Sequence, residues 1–219
     1  MKKSTVFIIA LVLLGVAFLV GSVMYIADKE SKAGQQLSDA KTAALGRMYA
    51  PMIGKLEAPV VIVEFLDPAC GTCAAFYPLV KEIMDANPGR IRLVIRYAPF
   101  HKGADKVVAA LEATRKQGKY WKALEALLAS QEAWAPNHTA QVDLIWKQWE
   151  GLGLDLDKVR ADMQSPEIAK AIAQDIEDAR TLEVKATPEY FVNGRGMPNF
   201  GETPLRRLIA DALRETAPR

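Results

Sequence analysis

Val60-Val61-Ile62-Val63-Glu64-Phe65-Leu66-Asp67-Pro68-Ala69-Cys70-Gly71-Thr72-Cys73 runs from an apolar, β-branched stretch into two cysteines three positions apart. Val60–Leu66 reads as a strand buried on both faces, because a strand with one wet face would alternate apolar and polar residues. Residues 70 to about 86 read as a helix, broken at Asn87-Pro88-Gly89, and Ile91–Tyr97 is a second apolar strand. A strand, a helix and a strand of these lengths form a right-handed βαβ unit with parallel strands.

Downstream, residues from about 104 to 182 carry helical spacing: Val107, Val108 and Leu111 first, then Leu124, Leu127 and Leu128. Pro136-Asn137 and the glycines at 151 and 153 punctuate the block, and residues 156–163 and 168–179 continue it. Glu189–Val192 is then a strand, Asn193-Gly194 a strong hairpin signal, and residues near 197–200 the return strand. Thr203 is placed to cap a last helix with Pro204 at its first position. The order is βαβ, helical block, β-hairpin and terminal helix, an α/β domain.

Upstream, Lys2 and Lys3 precede residues 5–27, which carry no charge. About 20 apolar residues cross a bilayer as a helix. The apolar region of a cleaved signal peptide is usually shorter, about 7–15 residues, so residues 1–27 read as a transmembrane anchor, with an uncleaved signal as the alternative. The paired lysines place the N-terminus in the cytoplasm and the rest of the chain outside it, in the periplasm or an equivalent space, where disulfides persist. Residues 28–52 are polar and read as a linker with a short helix around 37–45. The folded domain is expected over 53–219.

The chain has 219 residues, half of them hydrophobic, and a formal charge of +2 with both signs interspersed. That suits one domain and offers no basic stripe for nucleic acid. Its two cysteines are too few and too close for a structural framework, and closing so short a loop removes little chain entropy. Chemistry explains them better. A cysteine at a helix N-terminus meets unpaired N–H groups and the positive end of the dipole, which favour the thiolate. Cys70 is therefore expected to be the exposed nucleophile and Cys73, one turn on, the buried resolving thiol. Half a zinc site and an inert bridge are the alternatives. The only histidines, His101 and His138, lack zinc-site spacing, so no metal is expected.

With these motifs in place, the chain resembles the thioredoxin superfamily and, within it, its DsbA-like branch, over roughly residues 55 to 215. Glu64-Phe65-Leu66-Asp67 stands before the CxxC, Pro78 falls eight residues after Cys70, and the helical insertion follows the second strand. Thr187-Pro188-Glu189-Tyr190-Phe191-Val192-Asn193-Gly194 looks like the family's cis-proline strand and hairpin. The resemblance implies a thioredoxin-like fold with a helical insertion over about 104–182. It also implies thiol–disulfide exchange on protein thiols or disulfides without a bound cofactor, and a redox partner that resets the pair.

By the same resemblance, Pro188 follows a cis bond and the Thr187 backbone binds an extended substrate peptide. Glu64 is the buried acid that relays the Cys73 proton, unless it is a strand-edge residue facing solvent. Gly71 and Thr72 tune the thiolate where many DsbA-like oxidases carry Pro-His. Thr72 offers a hydroxyl but no positive charge, so Cys70 is expected to be less acidic and the centre less oxidising than in the strongest oxidases. Oxidase and reductase remain open, and isomerase is the weaker reading because residues 28–52 are too few for a separate dimerisation domain, although a short helix there could still self-associate. A tethered peptide-binding or chaperone module with an inert disulfide is the alternative from another class. Asp67 reads as a loop or capping residue and His101 as structural. Trp121, Trp134, Trp146 and Trp149 read as packing, and the Lys/Arg clusters near 115–122 and 206–207 as solvated helix faces.

Overall fold

β2 (Val60–Leu66) and β3 (Ile91–Tyr97) pair in parallel, from Val60 opposite Ile91 to Leu66 opposite Tyr97, and α1 (Gly71–Asp85) makes the crossover between them. In this computed structural model the described residues are 22–217, except 27, 30 and 33. They fall into two units, divided after Ala43.

The described residues of the first unit, from 22 onward, are all helical. The expected transmembrane anchor lies almost wholly outside the described residues. Among the described residues, no helix is long and apolar enough to cross a membrane.

The second unit is built on a five-stranded sheet of order β1-β3-β2-β4-β5. β1 (Met52–Ile53) is antiparallel to β3, β4 (Glu189–Val192) is antiparallel to β2, and β5 (Arg195–Gly196) is antiparallel to β4. Side chains alternate across a strand, and both faces of β2 are used. Ile62 and Leu66 enter a large core with α1, the insertion and the terminal helix. Val63 and Phe65 enter a smaller one with Val94, Ala179 and Val184.

The helical block is a series of short elements. They are α2 (Ala104–Arg115), α3 (Tyr120–Ala129), α4 (Gln131–Trp134), a 3-10 turn (Pro136–His138), α5 (Val142–Gln148), α6 (Leu156–Asp162) and α7 (Pro166–Thr181). Asp155 and Ser165 cap α6 and α7 by accepting from the N–H groups of Lys158 and Ile168. Trp134 and Trp149 are fully buried, and their indole N–H groups donate to the carbonyls of Leu127 and Ala123, each at 2.9 Å.

Three boundaries differ from the sequence reading. Asn193 and Gly194 both have positive φ and close a two-residue hairpin turn, so the return strand starts at Arg195, opposite Val192, rather than near 197. The last helix, α8 (Glu202–Glu215), has Gly201 as its N-cap at φ 150°, backbone that favours glycine, so Thr203 lies inside the first turn. Residues 44–52, assigned to the linker, belong to the second unit. Ala44 and Ala50 are buried, and Arg47 pairs with Asp178 through two hydrogen bonds of 2.8 and 2.7 Å. These polar residues read as solvated because their partners come from α7, far along the chain.

Candidate active site

Chain reversal between β2 and α1 is held by Asp67. Its buried carboxylate accepts from the N–H of Ala69, the N–H of His101 and the Nδ1 of His101, each at 2.8 Å. Its carbonyl accepts from the Cys70 N–H at 3.0 Å. The turn delivers Cys70 as the N-cap of α1, in extended conformation. Of the loop and capping roles expected of Asp67, it has the loop role: its carboxylate holds the turn, and no side chain caps α1.

Cys70 is only 7% exposed, so the nucleophile expected at the surface is largely covered. Its Sγ lies 3.2 Å from the Thr187 carbonyl, to which the thiol donates. The Thr187–Pro188 peptide bond is cis. Both cysteines are free thiols. The Cys70 pKa is lowered to about 5. The foremost cause is the Cys73 thiol, a donor to the anion; the Thr187 side chain and the backbone N–H groups of Cys73 and Thr72 add to it, against the cost of burial. Cys73 is fully buried, and burial first, then Cys70 and Glu64, hold its pKa well above the ordinary value. Two adjacent thiols therefore carry opposite proton affinities at neutral pH.

Glu64 is on the β2 face that carries Ile62 and Leu66 and is fully buried, not at a wet strand edge. It stands opposite Tyr190 on β4. Loss of water around the carboxylate is the main cause that pushes its pKa up to about 8.

Sequence reasoning missed two side chains from the insertion. Gln131 Nε2 donates to the carbonyls of Pro68 and Cys70, at 2.7 and 3.0 Å. His138 Nδ1 meets the carbonyl of Ala69 at 3.2 Å. Three successive carbonyls ahead of the helix are thus engaged from the insertion. A Cβ at Gly71 would stand 3.4 Å from His138 Cε1, so the bare glycine lets that ring settle over the turn. Thr72 is exposed. Nothing local marks Gln131 or His138, because their partners are backbone atoms 61 to 69 positions away in sequence.

Around the pair, Phe76 of α1 packs against Tyr190 and Phe200, at centroid distances of 6.4 and 4.8 Å. Phe200 and Phe100 are exposed. Among the described residues no group of three or more His, Cys, Asp or Glu is arranged to hold a metal ion.

The sequence profile of the Thioredoxin family matches residues 47–211. A thioredoxin-like oxidoreductase of Silicibacter pomeroyi has a solved structure that superposes with a TM-score of 0.68 at 30% identity, over 80% of this chain and 98% of that one. The probable disulfide bond formation protein D of Bacillus anthracis is 28% identical over 213 residues, 92% of this chain and 93% of its own length. A sodium/proton antiporter, NhaA 3 of Salinispora tropica, is 37% identical over 145 residues. That match takes in 65% of this chain but only 21% of the antiporter, so the chain spans about a fifth of that relative's length. The chain belongs to the thioredoxin family.

Proposed function

We propose that this protein is a membrane-tethered thiol–disulfide oxidoreductase that works outside the cytoplasm on protein substrates, with Cys70 and Cys73 as its redox centre. The observation that carries the reading is the asymmetry of the two thiols. Cys70 ionises near pH 5 beside the Thr187 carbonyl, while Cys73 is buried and holds its proton.

The exchange follows from that asymmetry. When the centre is oxidised, a substrate thiolate attacks Cys70 Sγ, the Cys70–Cys73 bond breaks, and Cys73 leaves and takes a proton from Glu64. A second substrate thiolate then attacks the substrate sulfur of the mixed disulfide, and Cys70 leaves as its stable thiolate. The substrate gains a disulfide and the pair gains two electrons. In the reverse direction Glu64 accepts the Cys73 proton as that sulfur attacks. No bound cofactor is needed, because the cysteines carry the electrons. A second redox protein resets the pair. Thr187 offers its backbone to an extended substrate next to Pro188, and Gly71 and Thr72 tune the thiolate. The tether is the uncharged segment 5–27 behind Lys2 and Lys3. A Cys70 value of about 5 falls between the roughly 7 of thioredoxin and the roughly 3.5 of DsbA, which supports a centre milder than the strongest oxidants.

The test is the reduction potential of the pair, measured by equilibration with glutathione or dithiothreitol buffers. A reversible two-electron couple is expected between about −270 mV and about −120 mV, the thioredoxin and DsbA values, with turnover of a disulfide substrate lost in Cys70→Ser. A pair that cannot be cycled, or full turnover in Cys70→Ser, would overturn the reading and favour a peptide-binding module.

A further inference from the structure

Tyr190 and Glu64 face one another across the β2–β4 pair, and both are fully buried. Directly opposed residues project to the same side of the sheet with Cβ atoms about 5 Å apart. No hydrogen bond of full geometry reaches either Glu64 carboxylate oxygen or the Tyr190 hydroxyl among the described residues, although buried polar groups are normally paired. The two groups are nonetheless near enough that Tyr190 acts as a hydrogen-bonding influence that lowers the Glu64 pKa against the effect of burial. The Tyr190 ring packs on Phe76, one turn beyond Cys73 on α1, with centroids 6.4 Å apart.

The titratable groups facing Glu64 are Cys70 and Cys73 from the CxxC turn, Tyr77 from α1 and Tyr190 from β4. All are acids, so no cation in this set supports a Glu64 carboxylate. The Tyr77 hydroxyl is already committed to Glu125, at 3.1 Å. Cys73 is the proton source itself. Tyr190 is left as the donor that can serve the anion.

We propose that Tyr190 is a positioning residue for the proton relay, its hydroxyl donating to the Glu64 carboxylate whenever that carboxylate is ready to accept the Cys73 proton. This rests on the redox reading of Cys70 and Cys73. In the resolving step Cys73 Sγ attacks Cys70 Sγ in a mixed disulfide, the bond from Cys70 to the substrate sulfur breaks, and the substrate leaves as a thiolate. The Cys73 proton passes to Glu64. Tyr190 keeps its own proton throughout and lowers the cost of the charged form of Glu64.

The experiment is single-turnover resolution of a mixed disulfide between Cys70 and glutathione, followed against pH in the full chain. Tyr190→Phe should move the midpoint of the profile up by about one pH unit and slow resolution roughly tenfold below it. In a Glu64→Gln background the same substitution should change the rate less than about twofold. Incorporation of 3-fluorotyrosine at 190, a stronger donor of nearly the same shape, should move the midpoint down, and serves as the test if the phenylalanine variant does not fold. Unmoved midpoints in these variants, or an equal Tyr190→Phe effect in the Glu64→Gln background, would overturn the proposal. Disulfide turnover that survives Cys70→Ser would instead sink the redox reading beneath it.

Discussion

The rings of His101 and His138 stack with centroids 5.0 Å apart and planes 28° from parallel. One ring comes from the loop after β3 and the other from the end of the 3-10 turn in the insertion. Asp67 fixes the first ring, and the second reaches the carbonyl just before Cys70. The stack joins the insertion to the βαβ unit at the turn that presents Cys70.

Asp67→Ala removes the acceptor for three N–H groups at once. Leaving buried donors unpaired costs about 1–3 kcal/mol for a single group. The total loss here should be roughly 2–4 kcal/mol, because the His101 ring is partly exposed and can recover some solvation. Urea denaturation of the protein measures it. A loss below about 0.5 kcal/mol, within the range of ordinary surface substitutions, would show that the carboxylate is not what holds the turn.

The Cys70 contribution to the stability of the reduced protein should grow as pH rises from about 5 to 9. The Cys70 thiol titrates at about 5 in the folded state against 9.0 ordinarily, so the folded state sheds its proton first. That contribution is complete above pH 9 and is lost as pH falls through 5. Unfolding free energies of reduced wild type and Cys70→Ser, compared across this window, should converge at its acid end. Curves that stay parallel would show that Cys70 is not ionised early.

Glu64 contributes with the opposite sign. Its pKa rises from 4.5 to about 8 on folding, so the folded state holds the proton longer and stability falls as pH climbs through that window. In oxidised protein, where the cysteines do not titrate, Glu64→Gln should match wild type near pH 4 and exceed it above pH 8. Equal stabilities at both ends would mean that the carboxylate is better solvated than its burial implies.

Arg96 is fully buried and donates to Asp175 at 2.8 Å, Asp178 at 2.6 Å and the Ala44 carbonyl. Tyr49 joins the same cluster through Asp175. Removing the cation leaves buried carboxylates uncompensated, so Arg96→Ala should cost about 3–5 kcal/mol. Arg96→Lys should recover only part of this, because an ammonium cannot reproduce the planar fork. Thermal and urea unfolding of the two variants check both statements. Full rescue by lysine would show that charge alone matters there.

Periodicity and composition determined much of this protein before any folding was considered. The apolar runs at Val60–Leu66 and Ile91–Tyr97 can be satisfied only by a sheet covered on both sides, and the helix between them by a parallel crossover. The two cysteines announced themselves by spacing, and Asn193-Gly194 by turn chemistry, because these signals are local and act through backbone preferences of a few neighbouring residues. Tertiary structure alone decided what surrounds the thiols. Gln131 and His138 engage the turn only because the insertion folds back over it. Glu64 is buried because its strand lies inside the sheet with Tyr190 opposite it on β4, and residues 44–50 join the domain through the Arg96, Asp175 and Asp178 cluster and through packing of Leu45 and Ala50 on the smaller core. Each is a contact between side chains, or between side chain and backbone, that lie far apart in sequence. Its energy depends on burial and distance, and neither exists until the chain has folded.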